Sequence, residues 1–258
     1  MTTYDDAAVV ERGVWLSWTT WAAMDNKRLS VGDISYLKSE DGQGFERIFS
    51  VQLQEPDADA RLQWMVAAIR SGQLPDSVLI TPMSRPADLA QRLERLGFAL
   101  DTSGRCMAMG LADDMPPPAP DAAVSVNAVE LRQRETWLHI VRAGLFGCDL
   151  LSPRQLDALF ERPGAAFFLG HWCGDPVTAA MTINDGDTAV VELVATLPQA
   201  RRQGVASAVL LRALRNLREH GVASVSLRAE VDGIGLYRRL GFRECGVRTV
   251  ASYDWNKR

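Results

Sequence analysis

The stretch 190–214, VVELVATLPQARRQGVASAVLLRAL, constrains the fold most, because its residue period changes once and sharply. Residues 190–196 are apolar and rich in β-branched side chains, with one charge, Glu192, which predicts a buried strand. Pro198 closes the run. Beyond it Val205, Val209, Leu210, Ala213, Leu214 and Leu217 recur at helical spacing, with Arg212, Arg215 and Arg218 opposite them. Gly221 follows the last turn, where a helix prefers to stop. The stretch therefore reads as strand, tight loop and helix start.

Such a junction is built to receive an anion. The first N–H groups of a helix lack internal partners, and the dipole places roughly half a positive charge there. Gly204 and Ala206 leave the backbone approachable, and Arg201 and Arg202 add full charges. Spacing alone equally allows an ordinary turn carrying two solvated arginines. The loop fits neither G-x-G-x-x-G nor the P-loop, whose glycines and Lys-Ser/Thr it lacks.

Pro198, Arg201, Gly204 and Ala206 form P-x-x-R-x-x-G-x-A after an apolar strand, which resembles the acetyl-CoA pyrophosphate loop of the GNAT superfamily of N-acetyltransferases. A second block, LYRRLGF at 236–242, resembles the L-Y-x-x-x-G-F ending of that family. The resemblance covers about residues 124–258 and implies an α/β fold with a mixed sheet. It implies acetyl-CoA as co-substrate and transfer to a primary amine of a small-molecule or peptide acceptor by direct attack. Carried over residue by residue, it implies a bulged fourth strand whose main chain holds the pantetheine, at Val194, Ala195 and Thr196. Arg202, Gln203, Gly204, Val205, Ala206 and Ser207 fall on the pyrophosphate loop, with Arg201 in support. Tyr237 matches the general-acid tyrosine: a phenol with pKa near 10 can protonate a departing thiolate of pKa near 8–9. A tyrosine packed simply as a core residue is the other reading.

Two positions depart from the family pattern. Arg202 stands where glycine is common, and Glu230 stands where an asparagine often precedes the tyrosine by seven residues. Glu192 is the candidate base. Alternation places it on one face with Val194 and Thr196, and a buried carboxylate must meet a cation, water or a substrate amine. A structural salt bridge to a basic residue on a neighbouring strand is the alternative. A different acyl-CoA donor, or a non-catalytic CoA-binding regulatory module, also fits the loop.

Ahead of this region, 4–24 predicts a helix whose Trp15 and Trp18 share a face, a core or interface helix more than an aromatic substrate box. Residues 31–37 and 45–53 read as a hairpin through 38–44, followed by a helix at 61–70, a strand at 77–80, a helix at 87–96 and a strand at 105–111. DDMPPPAPDA at 113–122 reads as a linker between domains 1–113 and 123–258, with 114–122 as its proline-rich part. After it come a strand at 124–129, helices at 131–145 and 153–160, and strands at 165–172 and 176–183. The order implied by the family then ends in two strands after the last helix.

The halves are related. RLGF occurs at 95–98 and at 239–242, an offset of 144 (241 − 97 = 144), which also carries 31–37 onto 175–181, 47–52 onto 191–196 and 61–70 onto 205–214. Two tandem GNAT-like domains are expected, the first incomplete and degenerate. Asp57 falls opposite Arg201, Ala60 opposite Gly204 and Leu93 opposite Tyr237. The first copy should shape the acceptor cleft and bind no acetyl-CoA.

The 258 residues suffice for one or two domains, and 47% apolar content supplies a core. A net charge of −4 gives no sign of a nucleic-acid or anionic-membrane partner, and no apolar run reaches membrane-span length. Four scattered cysteines and three histidines show no metal-ligand spacing, so no metal is expected and the thiols read as free in a cytoplasmic protein. Homodimerisation stays open.

Overall fold

The computed structural model describes residues 5–24, 27–40, 45–111, 122–147 and 151–256. Apart from Ala122, the expected linker lies outside them. Residues 41–44, in the expected hairpin turn, and Cys148 also lie outside them.

Among the described residues, eleven strands form one sheet. In the first half these are β1 Lys27–Ser30, β2 Ser35–Ser39, β3 Arg47–Phe49, β4 Ser77–Ile80 and β5 Phe98–Gly110. In the second half they are β6 Val124–Ala128, β7 Ala165–Trp172, β8 Asp175–Asp185, β9 Thr188–Thr196, β10 Ser224–Ala229 and β11 Arg243–Tyr253. Their spatial order is β1-β2-β3-β4-β11-β5-β10-β9-β8-β7-β6. β3 with β4 and β9 with β10 run parallel, and the other neighbours antiparallel. The helices are α1 Asp6–Ala22, α2 Ala58–Arg70, α3 Leu89–Arg95, α4 Arg134–Val141, α5 Pro153–Phe160, α6 Val205–Glu219 and α7 Ile234–Arg239. The 131–145 helix expected from sequence begins as a 3-10 turn, and α4 continues into the π-helical turn Arg142–Phe146.

Two expectations are corrected. The 31–37 strand is broken, because Ser35 Oγ bonds both the N–H and the carbonyl of Gly32 at 3.2 and 3.1 Å and folds 31–34 into a turn between β1 and β2. The second half ends in one strand rather than two. β5 of the first half occupies the place beside β10, and β11 of the second half sits between β4 and β5. Each half thus completes its sheet with the other's last strand.

The ladder between β5 and β11 reports the repeat directly. Arg243 pairs with Ala108 and Ser252 with Ala99, and each strand's members are images of the other's (243 − 99 = 144; 252 − 108 = 144). Exchange of the halves maps the ends of this ladder onto each other and its centre, Arg248–Gly104, onto itself, while the bulged pair Val250–Asp101 departs by one residue, so the offset seen in RLGF is an approximate two-fold relation in the fold.

The sheet curls around α1. Trp15 and Trp18 pack on Phe49 of β3, with ring centroids 5.1 and 5.3 Å apart, while Ser17 reaches Glu192 of β9. β3 and β9 are five strand positions apart, about 24 Å in a flat sheet, and consecutive residues of one helix touch both only if the sheet is strongly curved. α6 buries Val205, Val209, Leu210, Ala213, Leu214 and Leu217 on the other face of the second half, at about 1.5–3 kcal/mol for each fully buried Val or Leu. That burial fixes the loop in front of α6.

Candidate active site

β9 ends at Thr196, Pro198–Ala200 forms one 3-10 turn, and two left-handed residues reverse the chain: Arg202 at φ +68° and Gly204 at φ +79°. Gly204 is the N-cap of α6 and offers no side chain to it, and no acid occupies the first turn. Among the described residues no acceptor meets the main-chain N–H groups of Arg202, Gln203, Gly204, Val205, Ala206 and Ser207; the first ladder bond is from Ala208 to Gly204. A Cβ at Gly204 would find nothing within 4 Å, so the space before these donors is open. Six donors at the positive end of a fifteen-residue helix facing open space fit a pyrophosphate. Arg202 holds a conformation that favours glycine, which explains the family's glycine at this point. Arg201, on the surface, donates to the carbonyls of Thr196 and Gly144 at 3.3 and 3.4 Å. It ties the end of β9 to the π-helical turn. Gly144 permits this approach, since a Cβ there would lie 3.0 Å from that of Ala195.

β9 and β10 pair only at Thr188–Ser224, Ala189–Val225 and Val190–Ser226, and then splay. Past Val190 the β10-facing edge of β9 has no strand partner. The ladder from β9 to β8 steps from Met181–Glu192 to Ala179–Ala195, leaving one extra residue in β9, with Leu193 at φ +52°. Ala195 and Thr196 stay paired with Ala179 and Thr178 of β8, and the β10-facing edge of β9 at Val194, Ala195 and Thr196 lies in the mouth of the splay.

The bulge corrects the face assigned to Glu192. Val190, Leu193 and Ala195 join the core under α1 and α4, whereas Val194 packs toward α6. Glu192 lies on the α1 side, opposite Val194 and Thr196. There it accepts from Ser17 Oγ at 2.5 Å and forms an ion pair with Arg228 of β10, both partners of the pair being 15% exposed. Arg228 also donates to Ser17 Oγ at 3.1 Å. The carboxylate expected as a base is the centre of a strut across the splaying strands, which is the salt-bridge alternative.

Tyr237 on α7 is buried, its ring edge-on to Phe242 with centroids 5.8 Å apart. Gly233 admits the ring, because a Cβ there would lie 2.9 Å from Tyr237 Cε2. No partner among the described residues meets the hydroxyl. Burial, and then the carboxylates of Glu192 and Glu230, push the phenol above its ordinary value, so it stays protonated. Glu230, at the usual asparagine position, is held by Arg248 of β11 through two bonds of 2.7 and 2.8 Å.

The equivalent region of the first half is closed. Arg92 of α3 gathers Asp59, Asp88 and Glu55 before the start of α2, so carboxylates stand where the second half has bare N–H groups. Ser50, at φ +49°, is the counterpart of the bulge (50 + 144 = 194), and its hydroxyl donates to Glu11 of α1 at 2.6 Å, as does Thr81 at 2.9 Å. Leu93, opposite Tyr237, is fully buried. Sequence reasoning did not find Ser17, Glu11, Arg228 or Arg248; nothing local marks their partners.

Residues 163–244 match the family described as Acetyltransferase (GNAT) domain, a span that includes the splay, the loop and Tyr237. The chain carries a GNAT acetyltransferase domain. It is 30% identical to a mycothiol acetyltransferase of Parafrankia sp. (strain EAN1pec), over 52% of this chain and 51% of that one, so it spans about half the length of the curated relative it matches. A GCN5-related N-acetyltransferase from Kribbella flavida has the same fold over 95% of this chain and 96% of its own, with 20% identity and a TM-score of 0.71. A tandem GNAT protein from the clavulanic acid biosynthesis pathway is similar in fold over 97% of this chain and 96% of its own, with 14% identity and a TM-score of 0.58. The mixed α/β sheet of both halves is therefore a GNAT architecture, and the GNAT co-substrate is acetyl-CoA. Among the described residues no cluster of three or more His, Cys, Asp or Glu could hold a metal, and no helix is long and apolar enough to cross a membrane.

Proposed function

We propose that the chain is an acetyl-CoA-dependent N-acetyltransferase whose second half, 123–258, performs the transfer while the first, 1–113, covers and shapes the acceptor side. The observation that carries this is the set of unpartnered N–H groups at 202–207 directly after a bulged, splayed β9, with Tyr237 alongside. On this reading, Arg202, Gln203, Gly204, Val205, Ala206 and Ser207 hold the pyrophosphate, Val194, Ala195 and Thr196 hold the pantetheine, and Arg201 fixes the loop. The free amine of the acceptor attacks the thioester carbonyl; a C–N bond forms as the C–S bond breaks. The Tyr237 hydroxyl gives its proton to the departing thiolate. Glu192 positions β9 against β10 through Arg228 and is not assigned the amine proton, which leaves to solvent. Burial keeps the phenol protonated at neutral pH, and the hydroxyl's lack of an acceptor among the described residues leaves its proton available to the thiolate, which supports the acid role.

The test is release of free CoA thiol from acetyl-CoA across a panel of primary amines, including the acceptor of mycothiol-forming transferases. Turnover above the amine-free rate is expected. Acetyl-CoA binding without turnover on any amine contradicts the enzyme reading and leaves a CoA-binding module.

A further inference from the structure

The concave side of the sheet carries an arginine that the reaction above does not use. Arg47 on β3 pairs in register with Leu37, and Arg228 on β10 with Cys106; Leu37 and Cys106 belong to the same buried cluster under α1. Side chains alternate along strands, so Arg47 and Arg228 project to the same side as these core neighbours' cluster. α1 brings them together. Ser17 touches Arg228 and Glu192, while the next residue, Trp18, stacks on Phe49, two positions along β3 from Arg47. Arg248 of β11 completes the group, its guanidinium packed against Gly104.

The three arginines differ in one respect. Arg228 is neutralised by Glu192, and Arg248 by Glu230 and Asp101. Arg47 makes no ion pair or hydrogen bond among the described residues; its Nε, like that of Arg248, is buried without an acceptor, but no carboxylate meets the rest of its guanidinium. Burial first, and then the charges of Arg228 and Arg248, push it down to about 10, with Glu230 and Asp76 opposing. Arg47 is half-buried, and a guanidinium whose buried Nε has no acceptor is costly to a fold, a cost that a bound anion removes.

We propose that Arg47 binds an anionic group, a carboxylate or phosphate, carried by the acceptor, so that the first half of the chain selects the substrate that the second half acetylates. The group sits on the α1 side of the splay, away from the pyrophosphate loop in front of α6. This rests on the transferase reading and adds to it a substrate class, an amine that also bears a negative charge.

The experiment compares kcat/KM for matched primary amines, an amino acid against its amide and an aminoalkyl phosphate against the amino alcohol, in the wild type, Arg47→Met and Arg47→Lys. The wild type should favour the anionic member by about 10- to 100-fold, the range of a charge-assisted hydrogen bond. Arg47→Met should bring that preference near unity with KM for acetyl-CoA unchanged, and Arg47→Lys should restore part of it. Inorganic phosphate should compete with the anionic acceptor in the wild type and not in Arg47→Met, which separates a substrate-borne group from a free ion. The melting temperature of Arg47→Met should not fall, since an unpaired charge is removed. An unchanged preference, an equal loss for both members of each pair, or a melting temperature several degrees lower overturns the proposal. Acetyl-CoA binding by calorimetry with no amine acetylated overturns the transferase reading and this proposal with it, whereas turnover without charge preference overturns this proposal alone.

Discussion

Glu192→Gln separates a structural carboxylate from a catalytic one. The side chain keeps its length and its oxygen for Ser17 Oγ, but Arg228, 15% exposed, loses its counter-charge. Breaking a fully buried pair from one side costs about 3–5 kcal/mol, and the residual exposure here places the loss near the lower end, about 3 kcal/mol. For a chain of this size about 2–4 °C accompanies each kcal/mol, so melting should fall by about 6–12 °C. Adding Arg228→Met should recover part of the loss, giving a coupling of about 1–3 kcal/mol in a double-mutant cycle. The assay is thermal unfolding beside steady-state transfer at pH 6 and pH 8. Below the variant's melting point kcat should stay within a few-fold of wild type, with no extra loss at the lower pH. An unshifted melting temperature with kcat collapsing toward low pH would refute this reasoning and return Glu192 to the role of base.

Tyr237→Phe keeps the ring on Phe242 and removes only the proton donor, so kcat and kcat/KM should drop by about 10²–10⁴ while acetyl-CoA affinity is kept; unaltered single-turnover rates would remove Tyr237 from the chemistry. Because its pKa lies above the ordinary 10, the phenol adds stability that is fully present below pH 10 and is lost as pH rises toward its folded value. Wild-type kcat should therefore show no loss from phenol ionisation between pH 8 and 10, and an alkaline limb there that vanishes in Tyr237→Phe would contradict the protonated state. Arg202→Gly should relieve the left-handed backbone at φ +68° and stabilise the fold by about 1 kcal/mol while weakening acetyl-CoA binding only a few-fold, measured by melting and calorimetry; a large affinity loss would show the guanidinium itself holding the phosphates.

The junction at 190–219 was legible because strand, loop and helix are each encoded locally, by a β-branched run, a proline and glycine, and a 3.6-residue period. The face of Glu192 was not. Strict alternation puts it beside Val194, and the extra residue at Leu193, which no local composition announces, reverses that. Its partner Ser17 lies 175 residues away on α1, beyond any periodicity argument. The offset of 144 revealed two copies, but not that each lends its last strand to the other, because strand exchange alters neighbours without altering the pattern along either strand. The carboxylates at the start of α2 were readable in PDADA; the contact of Glu11 with Ser50 was not, since Glu11 sits in an unremarkable helical face.

On the proposed function, one of the two related halves holds acetyl-CoA, through main-chain donors at the start of α6. Isothermal titration of acetyl-CoA into the wild type and into Gly204→Asp tests it directly. The substitution sets a carboxylate and a strained Cβ at φ +79° in the open space before those donors. One site per chain in the wild type and none in a correctly folded Gly204→Asp is the expected result. Two sites per chain, or one that survives the substitution with unchanged affinity, would contradict the assignment.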